Sequence, residues 1–346
     1  MRPVSASTLS DREQSILRAV VQLFILHAVP VGSRVVSRYL EREMQLSPAT
    51  IRNVMSDLED AGYISHPHTS AGRMPTDKGY RQYVDSLMKI EGLPSEETHS
   101  VLANLLVTPR ETVVREATRM LGSLSHHLAL IELPQLRDAS VQKVDILRLT
   151  SDRLLVVIAL ESDIVRTVSL EWTGILADAT LDDVTRHINE RLSGRPLSLL
   201  ATLFPESSVV TQGSNGLVRL FVEQVGRLGT GTEGSTLLMA GTQNLLTLPE
   251  FEDPARMRSV IELVENEDVI VHVLGSARDD EGVSVRIGNE LLTEQLQDYS
   301  LVSTTYRIGP ASGSVGLIGP KRMDYSRMIS LVQMVSTVLS KTLTIK

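Results

Sequence analysis

The chain has 346 residues, 42% of them hydrophobic but only 3% aromatic, and no cysteine. That length fits two or three domains with aliphatic cores, and the missing thiols exclude disulfides, thiolate metal sites and cysteine nucleophiles. No segment approaches the ~18 uninterrupted apolar residues of a membrane helix, and the opening MRPVSASTLSDRE lacks a signal peptide's apolar stretch, so a soluble, cytoplasmic protein is expected.

The net charge of −8 argues against a nucleic-acid partner until its distribution is read. Residues 1–90 hold 11 Lys and Arg against 9 Asp and Glu, a net of +2, which leaves 23 basic and 33 acidic groups, a net of −10, for residues 91–346. The basic excess sits on the N-terminal module. It is small, and the order of elements has to carry the reading.

Ser10-Asp11-Arg12-Glu13 has the form of a capping box opening a first helix. Ile16, Val20 and Leu23/Phe24 then recur at helical spacing until Pro30 stops the run. A second helix is expected from a Ser33 cap, with Val36, Tyr39 and Leu40 inward. Arg34, Arg38 and Arg42 fall at four-residue spacing on it, either as a solvated basic face or as phosphate contacts. Ser47-Pro48 places a cap and a first-turn proline before a third helix, PATIRNVMSDLEDAG. Its inward positions are Ile51, Val54/Met55, Leu58 and Ala61; its outward ones are Ala49, Thr50, Arg52, Asn53 and Ser56.

That outward set suits a DNA major groove. Arginine can bond guanine O6 and N7 together, asparagine can pair with adenine, and alanine or a threonine methyl can meet thymine. Gly62 ends the helix, Tyr63-Ile64 begins a strand, a polar turn runs from His66 to Arg73, and Met74-Pro75-Thr76 returns. Helix, tight exit and hairpin are the order of a winged helix-turn-helix, with Arg73 expected at the wing tip and Lys78 bracing behind it. The candidate DNA contacts are Arg34, Arg38, Ser47, Ala49, Thr50, Arg52, Asn53, Ser56, the wing residues Thr69, Ser70 and Arg73, and Lys78. His66 and His68 lack a third ligand and give no metal site.

The stretches SPATIRNVMSDLEDAGYISHPHTSAGRMPTDKGYRQYVD and IGPKRMDY closely resemble the HrcA family of heat-inducible transcription repressors, and the resemblance covers nearly the whole chain. It implies a homodimeric repressor of bacterial chaperone operons that binds an inverted-repeat operator, CIRCE, on double-stranded DNA and is supported by the chaperonin GroEL. It also implies a GAF-like α/β domain interrupted by an insert used in dimer contact.

Downstream, residues 91–97 are polar and punctuated like a linker, and 97–130 read as mostly helical. Strands are expected over Val141–Leu149, Leu154–Glu161 and Ile164–Trp172 as an antiparallel meander, then a helix over Thr180–Ser193. A helix at Leu217–Arg227, a strand at Thr236–Ala240 and a helix at Pro254–Glu265 follow. Strand patterns resume at Val269–Leu274, Val283–Ile287, Leu301–Arg307 and Ser314–Ile318 before a last helix from Tyr325 to Leu343. The expected class is α+β multidomain: a winged helix-turn-helix over 1–90, a GAF-like domain from 97–193 and 271–346, and an inserted dimerisation domain over 194–270.

Other patterns carry less. Gly229-Thr230-Gly231-Thr232-Glu233-Gly234 fits G-x-G-x-x-G but follows a helix and precedes a strand, the reverse of a dinucleotide site. The glycines from Gly309 to Gly319 read as turns around an edge strand, and Lys321, Arg322 and Asp324 as an ion-pair network docking the last helix. No carboxylate pair or nucleophile motif marks an enzyme, and no cofactor is implied. A small-molecule-gated regulator using the GAF-like domain as sensor is the alternative reading.

Overall fold

The computed structural model describes residues 9–67, 72–134, 139–161, 165–173, 176–205, 215–230, 237–251, 253–276, 282–309 and 311–344. The N-terminal unit comprises α1 (Asp11–His27), α2 (Ser33–Tyr39), α3 (Pro48–Asp60), a two-stranded ribbon of β1 (Ile64–Ser65) and β2 (Met74–Pro75), and α4 (Asp77–Gln82), which runs on into a π-helical turn over Tyr83–Leu87. The expected capping box is made: Glu13 accepts from the Ser10 N–H at 2.6 Å, and Ser10 Oγ accepts from the Glu13 N–H at 3.4 Å. Ser47 caps α3 by accepting from the Thr50 N–H at 3.1 Å. Gly32, not Ser33, occupies the cap position of α2, which ends at Tyr39. Arg42 therefore lies beyond that helix, and Tyr39, expected inward, is half exposed with its hydroxyl on Gln22.

The body begins with α5 (Ser95–Val107) and α6 (Arg110–Ser125), followed by β3 (Leu128–Glu132). β4 (Val141–Arg148), β5 (Arg153–Leu160) and β6 (Val165–Glu171) form the expected antiparallel meander as a separate three-stranded sheet. α7 (Asp178–Leu192), α8 (Leu200–Leu203) and α9 (Asn215–Thr230) follow, then β7 (Leu237–Ala240), α10 (Thr242–Leu246), α11 (Pro254–Glu265) and α12 (Glu267–Ser276). β8 (Ser284–Ile287), β9 (Tyr299–Ile308), β10 (Ala311–Pro320) and α13 (Tyr325–Thr344) complete the chain.

The main sheet has the order β7-β3-β10-β9-β8, with every neighbouring pair antiparallel. Its strands alternate between two cores. Ala129, Ile131, Val302, Val315 and Leu317 join the core that contains α5, α6 and α13. Leu128, Leu130, Leu301 and Ile318 join a second core with α11 and α12. Coverage of both faces removes the apolar–polar alternation that marks a half-buried strand. That is why β3 is hidden inside a run that reads as helical.

Two expectations change here. Val269–Leu274 is helical within α12, where Ile270, Val273 and Leu274 are buried at helical spacing. The strand expected at Ser314–Ile318 is present, but it runs through the flanking glycines as β10 and is the central strand of the sheet rather than an edge strand between turns. At Gly313 a Cβ would lie 2.5 Å from the Glu132 carbonyl oxygen and 2.5 Å from the Tyr306 ring, so only glycine lets that ring cross the strand. The cores group the elements around the expected insert as follows. β4–β6 share a core with α7–α9, running from Ala139 to Val225, while β7 and α10–α12 belong to the main sheet. Asn189 of α7 joins this unit by bonding both the N–H and the carbonyl of Val144 on β4.

Candidate nucleic-acid interface

α3 is amphipathic because its apolar residues recur every three or four positions. Ile51, Val54, Met55 and Leu58 are buried against α1 and α2. Ala49, Arg52, Asn53 and Ser56 are exposed and Thr50 is half-buried, so the five residues expected to face outward are brought to one accessible face. Ser47 is exposed, but its hydroxyl is engaged in the cap and lies 3.0 Å from Thr50 Oγ1. Ser47 thus shapes the start of the helix as well as standing beside the face.

Six arginines of this unit fall into two sets. Arg18 is paired with Glu43 and Arg81 with Glu290 and Asp85. Arg34, Arg38, Arg42 and Arg52 are exposed and, among the described residues, form no ion pair. Four exposed guanidinium groups thus stand on α2, the turn after it and α3, interspersed with the exposed acids Glu41, Asp57 and Asp60.

Arg73 departs from expectation. Its backbone bridges Val31 and its guanidinium pairs with Glu59 at 2.7 Å, so it ties the base of the ribbon to the last turn of α3, two turns along the helix from Arg52, rather than reaching outward from a tip. His66 bonds the same carboxylate. Lys78 is exposed, with its charged end engaged: Nζ donates to the Ala61 carbonyl at 2.8 Å and lies 4.3 Å from the centre of the Tyr63 ring. It satisfies a carbonyl left open at the end of α3. Thr69 and Ser70 lie outside the described residues. Glu59 is the structural residue that the sequence reading missed; its signal was an acidic group near the end of α3, with Arg73 and His66 within reach only after the ribbon folds back.

Burial pushes Glu59 upward, but the hydrogen bond from His66 and the charge of Arg73 outweigh it and hold the carboxyl below its usual range. A lowered folded-state value contributes stability that is present above the unfolded value of about 4.3 and lost as pH falls through the folded one. Melting temperatures of wild type and Glu59→Gln are therefore expected to differ above about pH 5 and to converge towards about pH 3. A difference independent of pH would show that the carboxylate charge does not hold the ribbon.

Residues 111–329 match the family model described as the HrcA protein C terminal domain. The chain is 36% identical over 351 residues to the heat-inducible transcription repressor HrcA of Chlorobium phaeobacteroides strain BS1, spanning 97% of this chain and 98% of that one. It is 34% identical over 339 residues to the protein of the same name from Desulforamulus reducens, spanning 97% of each. A solved structure described only as a hypothetical protein shares the fold at a TM-score of 0.59 and 26% identity, over 97% of this chain and 99% of that one. No helix among the described residues is long and apolar enough to cross a membrane.

An N-terminal unit exposing a polar helix face, carried on a mixed α/β body and matched to named repressors, defines the class: a transcription repressor. The chain belongs to the HrcA family.

Proposed function

We propose that the N-terminal unit is a winged helix-turn-helix whose α3 enters the major groove of an inverted-repeat operator, and that the protein represses transcription by occupying that site as a homodimer. The observation that carries the reading is the exposed face of α3, where Arg52 and Asn53 stand clear of any internal partner beside three more unpaired arginines. One such helix reads too few base pairs to select a site in a genome, so two copies on a repeat are required. Family membership supports CIRCE as the operator, chaperone operons as the targets, GroEL as the modulating partner and the cytoplasm as the location. The body is read as GAF-like, and the unit built from β4–β6 and α7–α9 as the inserted dimerisation domain.

Arg34 and Arg38 are assigned to phosphates, which position the protein without reading sequence. Arg38→Ala should weaken binding to operator and scrambled DNA alike and lower the slope of log affinity against log salt by about 1 per subunit, about 2 for a dimer. A salt titration of operator binding measures this, and an unchanged slope would remove Arg38 from the interface.

The alternative of a small-molecule-gated regulator draws on a cavity of about 590 Å³ between the N-terminal unit and the body, lined by Phe24, Tyr80, Phe251, Arg256, Lys321 and Arg322 among others. A metabolite that raises the melting temperature and changes operator affinity would favour it. The repressor reading without a ligand is favoured if a broad metabolite screen moves neither.

A further inference from the structure

α4 leaves the ribbon and passes directly onto the body. Asp77, its first residue, accepts from Lys321 Nζ at 2.7 Å and from the Asn289 N–H at 3.2 Å. One turn later Arg81 grips the Glu290 carboxylate through two nitrogens, Nε at 2.9 Å, and donates to the Val285 carbonyl at 2.6 Å. Between these two anchors the buried Tyr80 ring lies 6.1 Å from that of Tyr325, whose hydroxyl donates to the Lys321 carbonyl at 2.5 Å. Gly288 makes the approach possible. Its φ is +54°, and a Cβ there would sit 2.2 Å from the Asp77 carboxylate.

The lysine of the IGPKRMDY motif therefore does not dock the last helix, as the sequence suggested. It receives α4, while Arg322 pairs with Glu250 and reaches the Ile25 carbonyl of α1 at 3.5 Å. Of the three side chains, it is Asp324 that meets α13, accepting from the Arg327 N–H at 3.1 Å, while Lys321 meets it only through its carbonyl.

We propose that this seat fixes the orientation of the DNA-reading unit on the body, making Asp77 and Arg81 positioning residues that set which half-site spacing the dimer accepts. The inference rests on the reading of the N-terminal unit as the reader of a homodimer. Its physical basis is directionality. Apolar contact alone permits sliding, whereas a two-pronged arginine–carboxylate pair and bonds to backbone groups define one register. The paired side chains of Asp77 and Lys321 are each about 27% exposed, so solvent screens them less than a surface pair. Half-sites on DNA are spaced in whole helical turns, so rotation of each reader on its body puts its recognition helix out of phase.

The test uses the full chain. It has no cysteine, so Glu41→Cys on the N-terminal unit and Gln333→Cys on α13, both exposed, can carry spin labels. Labelled chain diluted with unlabelled chain is expected to give one narrow interlabel distance. Asp77→Ala with Arg81→Ala should broaden it, Gly288→Ala should do the same with both charged side chains retained, and Asp77→Asn, which keeps an acceptor for Asn289, should largely restore it. On inverted repeats lengthened or shortened by about half a turn, wild type should prefer one spacing by about 10-fold or more, while the double variant binds all spacings within about 2-fold. Affinity for an isolated half-site and the circular dichroism spectrum should not change. An unbroadened distance in both the double variant and Gly288→Ala, or an unchanged spacing preference, would overturn the seat. If wild type binds no inverted repeat, the reader assignment fails instead, and the label distances still decide whether α4 is held.

Discussion

Replacing Arg52 with alanine is expected to erase most of the preference for an inverted-repeat operator over scrambled DNA while leaving the fold intact. Arg52 is exposed on the first half of α3 and holds no partner within the described residues, so its removal breaks nothing inside the protein. A bidentate contact from arginine to a guanine edge contributes about 1–3 kcal/mol of discrimination. Two copies in a dimer bring the loss to about 2–6 kcal/mol, or roughly 30-fold to 10⁴-fold. Asn53→Ala should act the same way at an adenine position, and the two losses should differ in which base each relaxes. Competition binding with single-base operator variants makes the measurement. The contrast with Arg38 is the informative part: a phosphate contact lowers affinity for all sequences, a base contact lowers it for one.

Leu58→Ala is expected to cost about 2–5 kcal/mol of stability, the range for truncating a fully buried leucine. Leu58 is completely buried beneath α3, in the same core as Ile16, Leu17, Val36, Leu40 and Ile51. Small domains are stable by only about 5–15 kcal/mol in total, so the loss is a large share of what holds this unit folded. DNA binding should fall with it, through the population of folded readers rather than through any lost base contact. Chemical denaturation monitored alongside hydrogen exchange should show the largest loss of protection in α1–α3, falling off towards α5, α6 and α13, into which the same core continues. Ser56→Ala, two residues away on the exposed side, should shift stability by less than about 0.5 kcal/mol. Equal effects from the two changes would mean that α3 does not present the faces described.

Much of the N-terminal unit was legible because its signals are local. The Ser10–Glu13 box, the Ser47-Pro48 start and the spacing of Ile51, Val54 and Leu58 each lie within one or two turns of chain. The meander β4–β6 was legible because tight turns punctuate it and one face is solvated. β3, α12 and the full length and central place of β10 were obscured by burial, since Leu128–Glu132 and Ala311–Pro320 are covered on both sides and show no clear period, although the core of β10 at Ser314–Ile318 was legible as a strand. The partners of Arg73, Lys78, Arg81 and Lys321 could not be read at all. Arg81 and Glu290 are 209 residues apart, and nothing near either one names the other. The same limit explains Arg73: a basic residue after a polar turn suggests a groove contact until the fold sets Glu59 beside it.

The central claim is that α3 reads DNA in two copies on an inverted repeat. The most direct measurement is the binding of the full-length chain to an inverted-repeat operator and to scrambled DNA of equal length at one fixed salt concentration, with stoichiometry determined. Salt must be held constant because phosphate contacts make affinity steeply dependent on it. Two chains per operator are expected, with a preference of at least about 10³-fold over scrambled DNA that falls steeply in Arg52→Ala. Equal affinity for both DNAs, or a preference untouched by Arg52→Ala and Asn53→Ala together, would contradict it.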